Sequence, residues 1–379
     1  MSPTEPDVRA ALARVLDPEI RRPITDLGMV RSVSLDGGDV AVEVSLTTAG
    51  CPLKETLTRD VEREVSAVEG VSGVTVTLGV MDAEQRRALT ESLRGGRAER
   101  EVPFARPGSL TRVVAVASGK GGVGKSSVTV NVAAALAADG LRVGVLDADV
   151  HGFSVPRMLG VQHAPTRLDD MIVPPVAHGV KVCSIGMFTQ GNAPVVWRGP
   201  MLHRTLEQFL TDVFWGDLDV LLLDLPPGTG DIAISVAQLL PAAELLVVTT
   251  PQAAAAEVAE RAGAVARQTS QPVAGVVENM SWMELPDGSR AEVFGRGGGD
   301  AVVERLERLL GARVPLVAQV PLDVRVREGG DDGVPVVLSD PGSPAALALR
   351  EVARSVARPR DLVGRPLGLT PVRRAAEVG

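Results

Sequence analysis

Residues 112–138 run from an apolar strand, "RVVAVA", through a glycine-rich loop, "SGKGGVGKSS", into helix formers, "VTVNVAAALAA", and that order restricts the fold more than any other feature. Gly119, Gly124, Lys125 and Ser126 satisfy G-x-x-x-x-G-K-[ST] in the strand–loop–helix context of a phosphate loop. Glycines let backbone N–H groups converge on phosphate oxygens, and the helix N-terminus adds favourable partial charge. The loop's contacting set is Gly119, Gly121, Gly122, Val123, Gly124, Lys125, Ser126 and Ser127. Lys125 is expected to neutralise β and γ oxygens, and the Ser126 hydroxyl to ligate Mg²⁺. Further short apolar runs, "VGVL", "VLLLD", "LLVVTT", "VAGVVEN" and "VPLVAQVP", alternate with helical stretches. That texture predicts an α/β domain over 112–355, a doubly wound and mostly parallel sheet.

Acidic residues fall at the ends of these strands. Asp224 in "VLLLDLPPGTGD" is the expected second magnesium ligand. Asp147 and Asp149 in "VGVLDADVHG" lie at the sheet edge where ligands of open α/β folds bind, so one of them could orient the attacking water. The loop also holds a surplus lysine, Lys120. Its turn is expected to aim Lys120 away from its own phosphate cradle, and a partner subunit could receive it.

Ahead of this domain, residues 5–16 predict a helix, and "MVRSVSL" with "VAVEVSLT" around "DGGD" predicts a hairpin that puts Val40, Val42, Val44 and Leu46 on one face. Leu53, Leu57, Val61, Val65 and Val68 then recur at helical spacing, and "GVTVTLGV" returns to a strand. Residues 1–91 thus form a small α+β domain. Residues 92–111 gather Gly, Pro and Arg and read as a solvated linker, with contact to an acidic partner as the alternative. Residues 356–379 read as a tail.

The net charge of −8 disfavours a general electrostatic hold on nucleic acid or anionic lipid. No apolar run approaches the ~20 residues of a membrane span, and no secretory leader is visible at the N-terminus. A chain with 2 cysteines has no disulfide framework. The expectation is a cytoplasmic protein without stable membrane association.

The segments "SGKGGVGKSSVTVNVA", "LDADVHGFSVPRMLG", "LLLDLPPGTGD", "TTPQ" and "VVENMSW" together resemble the Mrp/ApbC family of P-loop ATPases, described as iron-sulfur cluster carriers. "VLDPEIRRPITDLGMV" and "TTAGCPLKETL" resemble the small iron-sulfur-assembly domain that often precedes them. Lys120 to Ser126, K-G-G-V-G-K-S, match the deviant loop of the wider class that includes MinD and ParA. The resemblance implies a homodimer closing over two ATP molecules, with Lys120, Lys125 and Asp149 catalytic. Lys120 would reach the neighbour's phosphates and Asp149 would orient water. It also implies that Asn279 meets adenine, and the guanine signature N-K-x-D is absent. The implied partners are apoprotein recipients or iron-sulfur assembly proteins.

The chain departs from the family at one place. "NMSWMELPDGSRAEVFGRGGG" contains no Cys-x-x-Cys, so the family's usual cluster ligands do not carry over. Glu284, Asp287 and Glu292 are hard oxygen donors, poor substitutes for thiolates, and "PDG" reads as a turn. Cys183 in "VKVCSIG" reads as a buried inert thiol. Cys51, before Pro52 and a helix expected near Leu53, reads as an N-cap thiol that is either reactive or merely structural. His151, His163, His178 and His203 show no metal spacing. "GRGGG" reads as the lead-in to a helix, with a second phosphate loop as the alternative. Trp197, Trp215 and Trp282 are too scattered for a base-stacking platform, although Trp282 and Met283 could form a partner surface. Two functions remain open: an ATP-hydrolysing cluster carrier, or an ATP-controlled interaction switch that binds no cluster.

Overall fold

The computed structural model describes residues 2–48, 53–94, 101–106, 108–149, 152–188, 199–228, 231–252 and 255–357. Cys51, His151, Trp197 and the tail from 358 lie outside them.

The small domain comprises α1 (Glu5–Leu12), β1 (Val30–Asp36), β2 (Asp39–Leu46), α2 (Lys54–Ser66), β3 (Gly73–Val80) and α3 (Ala83–Arg94). The expected hairpin forms with Leu35 opposite Val40, and β3 joins the other edge of β2 in parallel. Val40, Val42, Val44 and Leu46 all face inward onto Leu57, Val61 and Val65 of α2. The helix begins at Lys54 and its cap position is Leu53, with no side-chain cap bond. The N-cap expected at Cys51 thus falls at Leu53, and Cys51 itself lies outside the described residues.

Within 92–111 the described residues are exposed or half-buried, Leu110 among the exposed, with one buried exception. Helix α3 carries through Arg94, and Phe104 is buried edge-on against Trp215.

The larger domain begins with β4 (Arg112–Ala117), α4 (Lys125–Ala138), β5 (Val143–Asp147) and α5 (Val155–Met158). A small antiparallel pair follows, β6 (Thr166–Leu168) and β7 (Met171–Val173), then β8 (Val176–Ala177) and β9 (Val180–Ser184). Next come α6 (Gly199–Thr211), β10 (Val220–Asp224), α7 (Asp231–Leu239), β11 (Glu244–Thr249), α8 (Ala255–Thr269) and β12 (Val273–Asn279). The chain continues through the β13 (Met283–Glu284) and β14 (Arg290–Ala291) hairpin, α9 (Gly298–Leu310) and β15 (Leu316–Val320). It closes with α10 (Val324–Asp332), α11 (Val336–Ser339) and α12 (Pro344–Ala357).

The main sheet has eight strands in the order β15-β12-β11-β4-β10-β5-β9-β8, parallel except where β8 meets β9. Its strands are apolar on both faces because helices cover both. Val114 and Val116 of β4 face α4 and α12, while Val113 and Ala115 face α6 and α7. Arg112, at the foot of β4, donates to the carbonyls of Ser355 and Val356 and to Glu244, fixing the end of α12 to the sheet. Among the described residues no helix is long and apolar enough to cross a membrane.

The small domain docks on the β6–β7 pair. Leu168 and Val173 are buried within its core, and Arg94 pairs with Asp170 at 2.6 Å. Beside them lies a polar cluster. The Thr166 hydroxyl donates to Glu19, Arg21 donates to the Gly179 carbonyl, and Lys181 donates to the Phe214 carbonyl while lying over that ring. Burial, with the neighbouring Asp17 carboxylate second, pushes Glu19 up to about 7. Burial, with Arg21 second, pushes Lys181 down to about 8.

Glu19 binds its proton more tightly folded than unfolded, so its contribution to stability falls as pH rises from about 4.5 to about 7. Asp147 titrates in the same direction below about 7 and is not touched by a change at Glu19. Glu19→Gln is expected to flatten the fall in urea midpoint across this window. A slope equal to the parent's would show that Glu19 ionises as an ordinary carboxylate.

Candidate active site

The loop between β4 and α4 turns left-handed at Gly122 and Gly124, both at φ +77°. Side-chain-bearing residues avoid that conformation at a cost of roughly 1–2 kcal/mol. Gly124 is further constrained by packing, since a Cβ there would lie 2.3 Å from Asn279 Nδ2. Asn279, the last residue of β12, donates that amide to the Val123 carbonyl at 2.9 Å. The loop is held from two other sides. Arg261 of α8 donates to the Gly119 carbonyl at 2.9 Å, and the Gly228 N–H, just past β10, donates to the Ser118 carbonyl at 2.8 Å.

At the top of α4 the expected ligands converge. Lys125 Nζ lies 2.8 Å from Asp224 Oδ2 and 3.8 Å from Asp149 Oδ2. The Ser126 hydroxyl donates to Asp224 Oδ2 at 2.5 Å, and the Thr129 hydroxyl donates to Asp224 Oδ1 at 2.8 Å. Asp224 is fully buried, so each of its oxygens is satisfied by a donor rather than by solvent. Two hard oxygens side by side at the mouth of a phosphate loop fit Mg²⁺.

Asp147 ends β5 with no exposure to solvent, pushed up to about 7 by burial first and the Asp224 charge second. It accepts the Asp149 N–H at 3.1 Å. Of the two acids in "LDAD", Asp149 is the one beside Lys125. The surplus lysine is also engaged: Lys120 Nζ donates to Gln252, which follows β11.

A cavity of about 140 Å³ is bounded by the loop from Lys120 to Ser127, Asp149 and Pro227. A second cavity, of about 290 Å³, shares Gly124 and Ser127 with it and is walled by Asn279, Met280, Met158, Pro321, Leu322 and Val326. An anion cradle opening onto a mostly apolar slot has the form of a nucleotide site. One wall of the slot is α5 and the other α10, joined by the Arg157–Asp331 ion pair at 3.2 Å and, at Gly160 and Gly333, by direct backbone contact. A Cβ at Gly333, the cap of α10, would lie 2.5 Å from Gly160 Cα.

The sequence profile of the NUBPL iron-transfer P-loop NTPases matches residues 109–357, and that of iron-sulfur cluster assembly proteins matches residues 5–78. The chain belongs to the NUBPL family. An iron-sulfur cluster carrier protein of Mycobacterium tuberculosis is 62% identical over 369 residues, 97% of each chain. One of Deinococcus radiodurans is 46% identical over 350 residues, 92% of this chain and 93% of its own. Among solved structures, a nucleotide-binding protein of Archaeoglobus fulgidus in complex with ADP shares 36% identity at a TM-score of 0.50, covering 59% of this chain and 86% of that one.

In this NUBPL-family chain the segment without Cys-x-x-Cys is a hairpin. β13 pairs with β14 around Asp287–Gly288, and Arg290 stacks 4.2 Å above the Trp282 ring. Glu284, Asp287 and Glu292 hold no metal geometry: among the described residues no group of three or more His, Cys, Asp or Glu side chains could hold an ion. Cys183 has no solvent exposure, and burial pushes its thiol up, with Asp147 adding to it. "GRGGG" is the start of α9, and its N-terminus is closed by the buried Glu278, which accepts the Gly299 N–H at 2.5 Å. A carboxylate already occupies the place a second phosphate would need.

Thr129, Arg261, Gln252 and Glu278 escaped the sequence reading. Thr129 alone left a local trace, one helical turn after Lys125. The others arrive from distant segments.

Gly124→Ala is expected to weaken nucleotide binding about tenfold or more, ~1.4 kcal/mol, through the left-handed strain and displacement of Asn279. Titration with a fluorescent ADP analogue, beside an unchanged far-UV spectrum, checks it. Parent affinity would mean the loop adapts without cost.

Proposed function

We propose that the chain is an Mg-dependent ATPase that works as a homodimer and carries iron-sulfur clusters to apoproteins. The observation that carries this reading is the convergence of Lys125, Ser126, Asp149 and Asp224 at one phosphate loop, with the surplus Lys120 of that loop bonded to Gln252. The iron-sulfur part is supported by the names of relatives that span nearly the whole chain.

The loop N–H groups and Lys125 bind the β and γ phosphates, and Asn279 in the wall of the larger cavity meets the adenine. Ser126 and Asp224 would hold Mg²⁺, whose charge offsets that of the phosphate oxygens. Asp149 orients a water toward the γ phosphorus. Its oxygen forms the new bond as the bridging bond to the β phosphate breaks, and ADP leaves with that electron pair. Lys120 of each chain completes the other's site, stabilising charge that develops only in the transition state. In this reading residues 1–91 are the assembly-type domain, 92–111 the connection and 112–355 the ATPase, and the protein works in the cytoplasm.

A second reading, a nucleotide-controlled interaction switch without a cluster, is favoured by one observation. Cys183 is sealed in the sheet and the hairpin carries no thiol, leaving Cys51 as the one cysteine that could reach iron.

Lys120→Ala should keep nucleotide affinity and lose most turnover, since cationic fingers contribute ~10³–10⁵ in rate. Steady-state ATPase assays over a range of protein concentrations check this, with parent specific activity expected to rise with concentration. Parent-like turnover in the variant would end the cross-subunit role.

Anaerobic reconstitution with iron and sulfide, with visible absorbance and iron analysis on the parent and Cys51→Ala, separates the two readings. Bound cluster that is lost in the variant supports the carrier. Iron in neither protein supports the switch.

A further inference from the structure

Three adjacent strands place three buried polar side chains in one row at the carboxyl edge of the main sheet. Asp224 of β10 lies in register with Asp147 of β5, and Asp147 with Ser184 of β9. All three have no exposure to solvent. Asp224 serves Lys125 and Ser126, but nothing described so far uses Ser184.

We propose that Ser184 is a positioning residue for ATP hydrolysis, holding Asp149 in place through the Asp147 carboxylate. The inference rests on the reading that Asp149 orients the attacking water.

Each link is a hydrogen bond with a settled direction. The Gly186 N–H donates to Ser184 Oγ at 3.2 Å, which turns the hydroxyl proton toward Asp147 Oδ2, 3.1 Å away. The other oxygen, Asp147 Oδ1, accepts the Asp149 N–H at 3.1 Å. The carboxylate is thus gripped at both ends, one end by the sheet and the other by the loop that carries Asp149.

Removing the hydroxyl leaves Oδ2 without this donor in a dry site that already contains the Asp224 carboxylate. A buried acceptor deprived of its partner costs ~1–3 kcal/mol, and rotation of Asp147 about its terminal torsion relieves that cost by carrying Oδ1 away from the Asp149 N–H. A displacement of about 1 Å at a reacting group is worth up to ~10²-fold in rate. The phosphate loop, Lys125 and the Ser126–Asp224 pair do not depend on Ser184, so nucleotide binding should be spared.

The test compares the parent, Ser184→Ala, Asp149→Ala and the double variant in steady-state ATPase assays, with nucleotide affinity from a fluorescent ADP analogue. Ser184→Ala is expected to lower kcat about tenfold while leaving affinity within about twofold, a split that marks an effect on the chemical step. In the Asp149→Ala background the same change should cost no further turnover, because the residue through which Ser184 acts is gone.

Parent kcat in Ser184→Ala overturns the proposal. So does an affinity loss as large as the kcat loss, the mark of a general packing defect, and so does a full additional loss in the double variant. Parent kcat in Asp149→Ala removes the hydrolytic role of Asp149 itself, an outcome readable without any Ser184 variant.

Discussion

The Asp224 carboxylate, sealed at the end of the central strand pair, is the constraint around which the larger domain is organised. A charge removed from water is tolerated only when it is paired and hydrogen-bonded. Here Lys125, Ser126 and Thr129 supply the donors from one helix. That requirement fixes the start of α4 against β10 and therefore fixes the height of the phosphate loop above the sheet. Asp147, one strand away, sits in the same dry layer and is held toward its neutral form by burial and the nearby charge. Local carboxylate density and a single buried lysine leave the site poised for a polyanion with its accompanying cation.

What the sequence made legible is what short spacing encodes. The loop, its flanking strand and helix, and Asp224 all belong to segments whose pattern is complete within about a dozen residues, and each lies where that pattern places it. The paired acids after β5 were legible as a pair, but only the fold separates them, turning Asp147 inward and leaving Asp149 beside Lys125. Arg261 and Gln252 hold the loop and its surplus lysine from segments far along the chain, joined to them only by the winding of the sheet. Phe104 stands out from its surroundings. Gly, Pro and Arg around it suggest solvent, and Ser109 and Leu110 are exposed, yet its own ring is buried against the edge of Trp215.

The small domain is not an appendage. Its hydrophobic core is completed by Leu168 and Val173 from the larger domain, and the polar cluster around Glu19 and Lys181 closes the seam. Strand β9 borders this seam at Lys181 and the catalytic edge at Ser184, a span of only a few residues. Cys183 is sealed in that same strand.

The Gly160–Gly333 contact sets the breadth of the slot beside the phosphate loop. Because the two walls touch through main chain at this point, no exchange of neighbouring side chains can bring them closer there. Enlarging either glycine would force both helices apart, and no trimming of its neighbour could compensate, since that neighbour has nothing left to trim. What the slot admits is then tuned through its lining, at Met158, Met280 or Val326.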